Sequence, residues 1–312
     1  MSSDLRWFAF VILGLLSLAT VAGVLGAWLS RSDKARGAAA DANSRLLAWW
    51  FLAGSILGAA WLGQTALAVL FGLASFCALR EFVSIHRTRK GDHRALFLAF
   101  FVVLPLQYVF VALPWYGMFT IFIPVWAFLL LTARAAVAGD TTRFLERIAK
   151  VQFGLLFCVY ALSHVAAIPQ LTPKPEDGIA LLCWFLAVVQ LSDVFQWVWG
   201  KALGRMKLAP TLSPNKTWGG LIGGILTATA IGAALYWMTP FSPGRAAAFA
   251  AGACFLGVLG GLVMSAIKRD AGVKDWGASL GGHGGVLDRV DGLAFAAPVF
   301  FHVARWVLGQ GL

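Results

Sequence analysis

Apolar residues run along this chain in blocks of about twenty, and polar residues gather between the blocks. A helix rises about 1.5 Å per residue, so roughly 20 apolar residues cross a hydrocarbon core of about 30 Å. On that basis the pattern predicts ten spans, at about 5–29, 46–63, 65–84, 95–113, 115–133, 152–169, 179–200, 218–238, 245–266 and 288–308. Only Gly63-Gln64 part the second span from the third, and only Pro114 parts the fourth from the fifth. Each pair reads as a tight hairpin, or one span is re-entrant and the number is nine. The expected fold class is all-α: a polytopic integral membrane helical bundle with one domain over 1–312. The run Trp7 to Leu29 exceeds the roughly 7–15 residues of a cleaved h-region, so it reads as a retained helix.

The charges test this division. The connections after spans one, three, five, seven and nine, with the adjoining helix ends, hold 21 of the 25 Lys and Arg. Only Arg6, Lys174, Arg245 and Arg305 fall elsewhere. Such alternation is the positive-inside signature. It makes those five connections cytoplasmic and puts both termini outside. A miscounted span would scramble it.

Composition agrees. The chain is 60% hydrophobic and 12% charged, where soluble domains carry about 25% charged residues. That excludes a disordered tail protein and an ordinary soluble enzyme. The net charge of +11 is mostly topological, so no nucleic-acid partner is expected. Cys77, Cys158, Cys183 and Cys254 each sit in an apolar run with no metal spacing, and read as buried thiols.

Some polar residues do not suit a bland membrane protein. Gln190, Asp193 and Gln196 share one broad face of span seven, either as an interhelical hydrogen-bond stripe or as the lining of a cavity. Ser213, Asn215, Lys216 and Thr217 precede span eight, either as a helix cap with a snorkelling Lys or as an anion site. The densest stretch, Ser265 to Asp291, carries four cations and four carboxylates around Gly281-Gly282-His283-Gly284-Gly285. Glycines let backbone N–H groups approach phosphate oxygens, and Asp288 and Asp291 at i and i+3 share a helix face that suits a hard cation such as Mg²⁺. Metal-binding carboxylates, phosphate-gripping cations and a flexible loop at the membrane face suit phosphoryl or nucleotidyl transfer between a lipid and a cytosolic nucleotide.

These residues resemble the signature of the phosphatidate cytidylyltransferases (CDP-diacylglycerol synthases), S-x-x-K-R-x4-K-D-x-[GSA]-x2-[LIF]-[PG]-x-H-G-G-hydrophobic-x-D-R-hydrophobic-D. Ser265 to Asp291 matches every fixed position. Ser213-Pro-Asn-Lys-Thr-Trp218 resembles the family's S-P-K-K-T-W-E-G segment, and Asp193 falls where the family has an Asp in the preceding helix. Two positions depart: Asn215 stands for the first Lys of the family's pair and Gly219 for its Glu. They suggest a divergent branch.

The resemblance implies Mg²⁺-dependent transfer of CMP from CTP to phosphatidic acid or a related lipid phosphate, releasing pyrophosphate. It implies catalytic roles for Lys268, Arg269, Lys274, Asp275, His283, Asp288, Arg289 and Asp291, and metal ligation by Asp193, Asp275, Asp288 and Asp291. Substrate would be held by Ser213, Asn215, Lys216, Thr217, Ser265, Gly281, Gly282, Gly284 and Gly285. The catalytic helices and loops would occupy 179–312. The helices of 1–170 would shape lipid access or form an oligomer contact such as a homodimer. The expected location is a bacterial inner membrane with the site facing the cytoplasm. The other readings are a CTP-dependent transferase for a different lipid, a transporter, and an inactive homologue.

Overall fold

The computed structural model describes residues 50–277 and 284–310, with a few positions between 13 and 21. Most of the expected first span, 5–29, lies outside the described residues, as do Gly281, Gly282 and His283. Among the described residues seven helices are long and apolar enough to cross a membrane, and two shorter ones are also apolar. In chain order they are α1 (Trp50–Leu62), α2 (Gln64–Ser84), α3 (Lys90–Ala112), α4 (Tyr116–Ala136), α5 (Phe144–Leu171), α6 (Pro175–Leu203), α7 (Trp218–Ala234), α8 (Pro243–Asp270) and α9 (Leu287–Val307). They take the places of expected spans two to ten. The match has a physical cause: in lipid every backbone N–H and C=O must be satisfied within its own segment, which helices achieve. Gly63 divides α1 from α2 with φ 100°, a conformation that only glycine adopts cheaply.

Among the described residues an all-α reading holds apart from one small hairpin. Strands β1 (Lys207–Ala209) and β2 (Ser213–Thr217) pair antiparallel between α6 and α7. A three-residue strand carries too few alternating positions to show in a sequence scan.

The helix α5 is the most enclosed of the spanning helices, packed against α2, α3 and α9. Its partners are joined by polar side chains in the apolar interior, where such bonds act as interhelical glue. Gln107 Nε2 donates to Phe119 O (2.9 Å) and Ser163 Oγ (3.1 Å), and Ser75 Oγ lies 2.7 Å from Tyr108 Oη. A longer chain runs from Tyr116 through His302 and His164. His164 Nδ1 lies 2.8 Å from Tyr160 O, which accepts only, so that nitrogen carries the proton. The neutral ring then accepts at Nε2 from His302 Nε2 (3.3 Å), leaving His302 Nδ1 to accept from Tyr116 Oη (3.3 Å).

The opposite end of the bundle is ionic. The nearly buried Arg147 reaches Asp92 Oδ1 (3.2 Å) and Asp140 Oδ2 (2.8 Å), tying the start of α5 to that of α3 and to the α4–α5 connection. Arg89 adds a 2.6 Å bond to Asp140, and that hydrogen bond holds the Asp140 carboxyl well below the usual carboxylate range.

Helices α6 and α7 pack together along a glycine face. A Cβ at Gly224 would lie 2.5 Å from Gln196 Cγ and 2.8 Å from Gln196 N, and one at Gly219 would lie 2.7 Å from Leu203 O. Small residues at such crossings let helix backbones meet. A second crossing joins α8 to α9, where a Cβ at Gly260 would lie 2.8 Å from Asp291 O. We expect Gly224→Val to destabilise the protein by about 1–3 kcal/mol through overpacking. Gly252→Ala, with open space at its Cβ, should have no such cost. Thermal unfolding in detergent compares the two.

Candidate active site

Helices α6, α8 and α9 and the hairpin β1–β2 bring charged side chains together in a cluster, hereafter the pocket. Asp193 is exposed on α6 in the protein alone, and Gln196 Nε2 donates to its Oδ1 (3.2 Å) and to Ser192 Oγ (3.0 Å). Gln190 on the same face reaches across to Arg289 O (3.3 Å). Gln190 thus bonds between helices, and Gln196 orients the carboxylate.

The hairpin delivers Lys216. Trp218 N–H donates to Met206 O (3.0 Å), and Thr217 caps α7 by accepting from Gly220 N–H (3.1 Å). Thr217 is buried, so its hydroxyl serves the helix start. Lys216 points the other way: a Cβ at Gly261 would lie 3.0 Å from Lys216 Nζ and 4.0 Å from Asp291 Oδ2. The absent side chain at Gly261 leaves the space these two groups share. Ser213 is half-buried on β2 and Asn215 is exposed.

The α8–α9 connection is organised by Asp288. Its Oδ1 pairs with Lys268 Nζ (2.6 Å), and its Oδ2 accepts from Trp276 N–H (3.0 Å) and Gly285 N–H (2.9 Å). Gly284, at φ 80°, passes close beneath it. The Gly285 N–H is therefore spent on Asp288. Ser265 Oγ donates to Gly261 O (2.6 Å) within its own helix. Arg269 reaches Leu212 O (3.4 Å) and Val273 O (3.2 Å), lacing α8 to the hairpin. Lys274 and Asp275 are exposed on the connection, and Arg289 is half-buried on the first turn of α9.

Sequence reasoning missed Glu81. This carboxylate is 5% exposed in the last turn of α2, and it accepts from Val286 N–H (3.0 Å) and Leu287 N–H (2.8 Å) at the start of α9. Beside it, Phe82 stacks on the buried Trp276 with ring centroids 5.4 Å apart. One signal was available. An anion in the last helical turn opposes the helix dipole and needs donors from elsewhere.

Four charges dominate the pocket: Asp193 and Asp291 bear on each other as like charges, with Lys216 near both and Lys268 near Asp291. Asp291 Oδ1 also takes the Gly292 N–H (2.7 Å). Among the described residues no three His, Cys, Asp or Glu converge as a metal cluster. Asp193 and Asp291, which bear on each other as like charges, are of the donor type that fits a hard cation. Two carboxylates completed by phosphate oxygens and water is how Mg²⁺ is commonly held. Asp288 already holds a lysine and two amides, and Asp275 lies out on the connection.

Comparison with known proteins gives the context. Residues 43–307 match the sequence model of the cytidylyltransferase family. The chain is 35% identical over 307 residues to the uncharacterized protein YnbB of Escherichia coli (strain K12), covering 95% of this chain and 96% of that one. It is 36% identical over 146 residues to the phosphatidate cytidylyltransferase of Haemophilus influenzae (strain ATCC 51907 / DSM 11121 / KW20 / Rd), covering 44% of this chain and 50% of that one. It is 43% identical over 126 residues to the phosphatidate cytidylyltransferase of Brucella abortus biovar 1 (strain 9-941), covering 40% and 46%.

Lys268→Met would leave Asp288 without its cation in a nearly buried site, and should cost about 2–4 kcal/mol. Asp288→Leu should cost more, because it also orphans the Trp276 and Gly285 amides. Denaturation of the two variants in detergent checks the order.

Proposed function

We propose a specific reaction for this chain, which belongs to the cytidylyltransferase family: transfer of CMP from CTP to phosphatidic acid, giving CDP-diacylglycerol and pyrophosphate. The observation that carries it is the meeting of Lys216 with Asp193 and Asp291 at membrane depth, beside the Lys268–Asp288 pair. Facing carboxylates and flanking cations suit polyphosphate charge, and transport has no need of them.

A lipid phosphomonoester has a second pKa of about 6, so it is mostly dianionic at neutral pH and needs no strong general base. One of its oxygens forms a bond to the α-phosphorus of CTP. The bond from that phosphorus to the oxygen bridging to the β-phosphate breaks, and its electron pair leaves with pyrophosphate. Lys216 lies where it can hold phosphate against Asp193 and Asp291. Lys268, fixed by Asp288, keeps positive charge at the rim, and Arg269, Lys274 and Arg289 surround the approach. Catalysis of this kind is mainly positioning and neutralisation of charge. A Mg²⁺ ion held by Asp193 and Asp291 supplies Lewis-acid neutralisation of the phosphate oxygens when bound. His283 and its neighbouring glycines are assigned to the leaving pyrophosphate by the signature alone. The basic connections support a site that faces the cytoplasm from a bacterial inner membrane.

A second reading keeps CTP and changes the acceptor to another lipid phosphate. It is favoured by the breadth of the match to YnbB, against the 44% of the chain that matches the Haemophilus enzyme.

Purified protein should form CDP-diacylglycerol from CTP and phosphatidate, and EDTA should abolish the product. Asp291→Asn and Asp193→Asn should each lower the rate by at least about 100-fold, in the range found when a group that stabilises transition-state charge is removed. Full activity in either variant would remove that residue from the metal assignment. Product with a different lipid phosphate alone would select the second reading.

A further inference from the structure

We propose that Glu81 is a positioning residue for the transfer: it seats the first turn of α9 and so sets where Asp291 stands. The proposal rests on the cytidylyltransferase reading of the pocket. Glu81 belongs to α2, in the half of the chain that carries no part of the family's signature, and more than two hundred residues separate it from its partners.

The geometry is specific. Each carboxylate oxygen takes one amide, Oε1 that of Val286 and Oε2 that of Leu287. These are among the donors that a helix start leaves without an intrahelical acceptor. The positive end of the α9 dipole meets a charge that the negative end of α2 alone would disfavour. Gly277 and Gly285 pack directly on the carboxylate, and a Cβ at Gly277 would lie 3.2 Å from Oε1. The next residue, Phe82, stacks on Trp276, whose amide holds Asp288. Residues 81 and 82 therefore grip both the outgoing and the returning arm of the α8–α9 connection.

Asp291 follows Leu287 by four residues, one turn along the same rigid helix. A rotation or slide of the α9 start moves Asp291 against Asp193 and Lys216. Both oxygens of Glu81 point at amides, so it does not touch phosphate. It acts through α9.

Glu81→Gln is the test. The amide keeps the shape and one acceptor but turns an NH₂ donor toward an N–H donor. In detergent or liposomes, hydrogen exchange at the Val286 and Leu287 amides should quicken at least tenfold. The kcat for CDP-lipid formation should fall about tenfold, while KM for CTP and for phosphatidate stays within twofold and the unfolding temperature stays near that of the wild type. A purely structural role would instead lower the unfolding temperature and the amount of active protein with kcat per active site unchanged. That result overturns the proposal, as does unchanged exchange or a kcat within twofold of wild type. If Glu81→Gln does not fold, Glu81→Asp carries the same measurements, since it keeps the charge but withdraws both oxygens by one methylene. If the wild-type protein forms no CDP-lipid, the reaction assignment has failed. The seating of α9 is then decided by amide exchange alone.

Discussion

Lys268 Nζ lies 2.6 Å from Asp288 Oδ1, at the level where two membrane-spanning helices emerge from the apolar core. The rest of the pocket depends on that bond. It ties the end of α8 to the start of α9. Asp288 then has its second oxygen free to gather the Trp276 and Gly285 amides. A charge at this depth is costly unless paired, and pairing both ends of the connection with each other removes that cost without using the pocket's other cations. Lys216 is left near Asp193 and Asp291.

Most of the fold was legible in the sequence because the bilayer imposes one length and one composition on every span. The expected spans at 65–84, 179–200 and 288–308 differ from α2, α6 and α9 by a few residues, which at α6 include the polar ends Glu176, Asp177 and Lys201 that a hydropathy scan trims. The hairpin at 207–217 was hidden by its shortness. In the pocket, Asp193, Lys216 and Asp291 stood out as polar groups in or beside apolar runs. The bonds of Asp288 to residues 268, 276 and 285 did not, because i, i+3 spacing from Asp291 says nothing of partners elsewhere in the chain. Glu81 was harder still. It sits beside Arg80 at a helix end, where a charge looks ordinary, and its partners are set only by how α2 and α9 pack.

The departure from the family's segment at Gly219 has a physical correlate. A side chain there would begin 2.7 Å from the Leu203 carbonyl, within a crossing already filled by Gly220, Gly223 and Gly224. This chain has placed close helix packing where the family carries a carboxylate. Asn215, the other departure, is exposed on β2 and leaves Lys216 with the inward position of the strand. Both changes fall on the hairpin side of the pocket, while the α8–α9 side keeps every residue of the signature.

The helix that follows this hairpin is short. With 17 residues, α7 rises about 25 Å, less than the hydrocarbon thickness of about 30 Å that its 28- and 29-residue neighbours α8 and α6 exceed. A bilayer meeting such a mismatch thins locally. The exposed face of α7 carries Ile222 and Leu226, and its N-terminus adjoins Lys216. A phospholipid resting there would have its headgroup drawn a few ångströms inward, toward the level of the charged groups that precede α7.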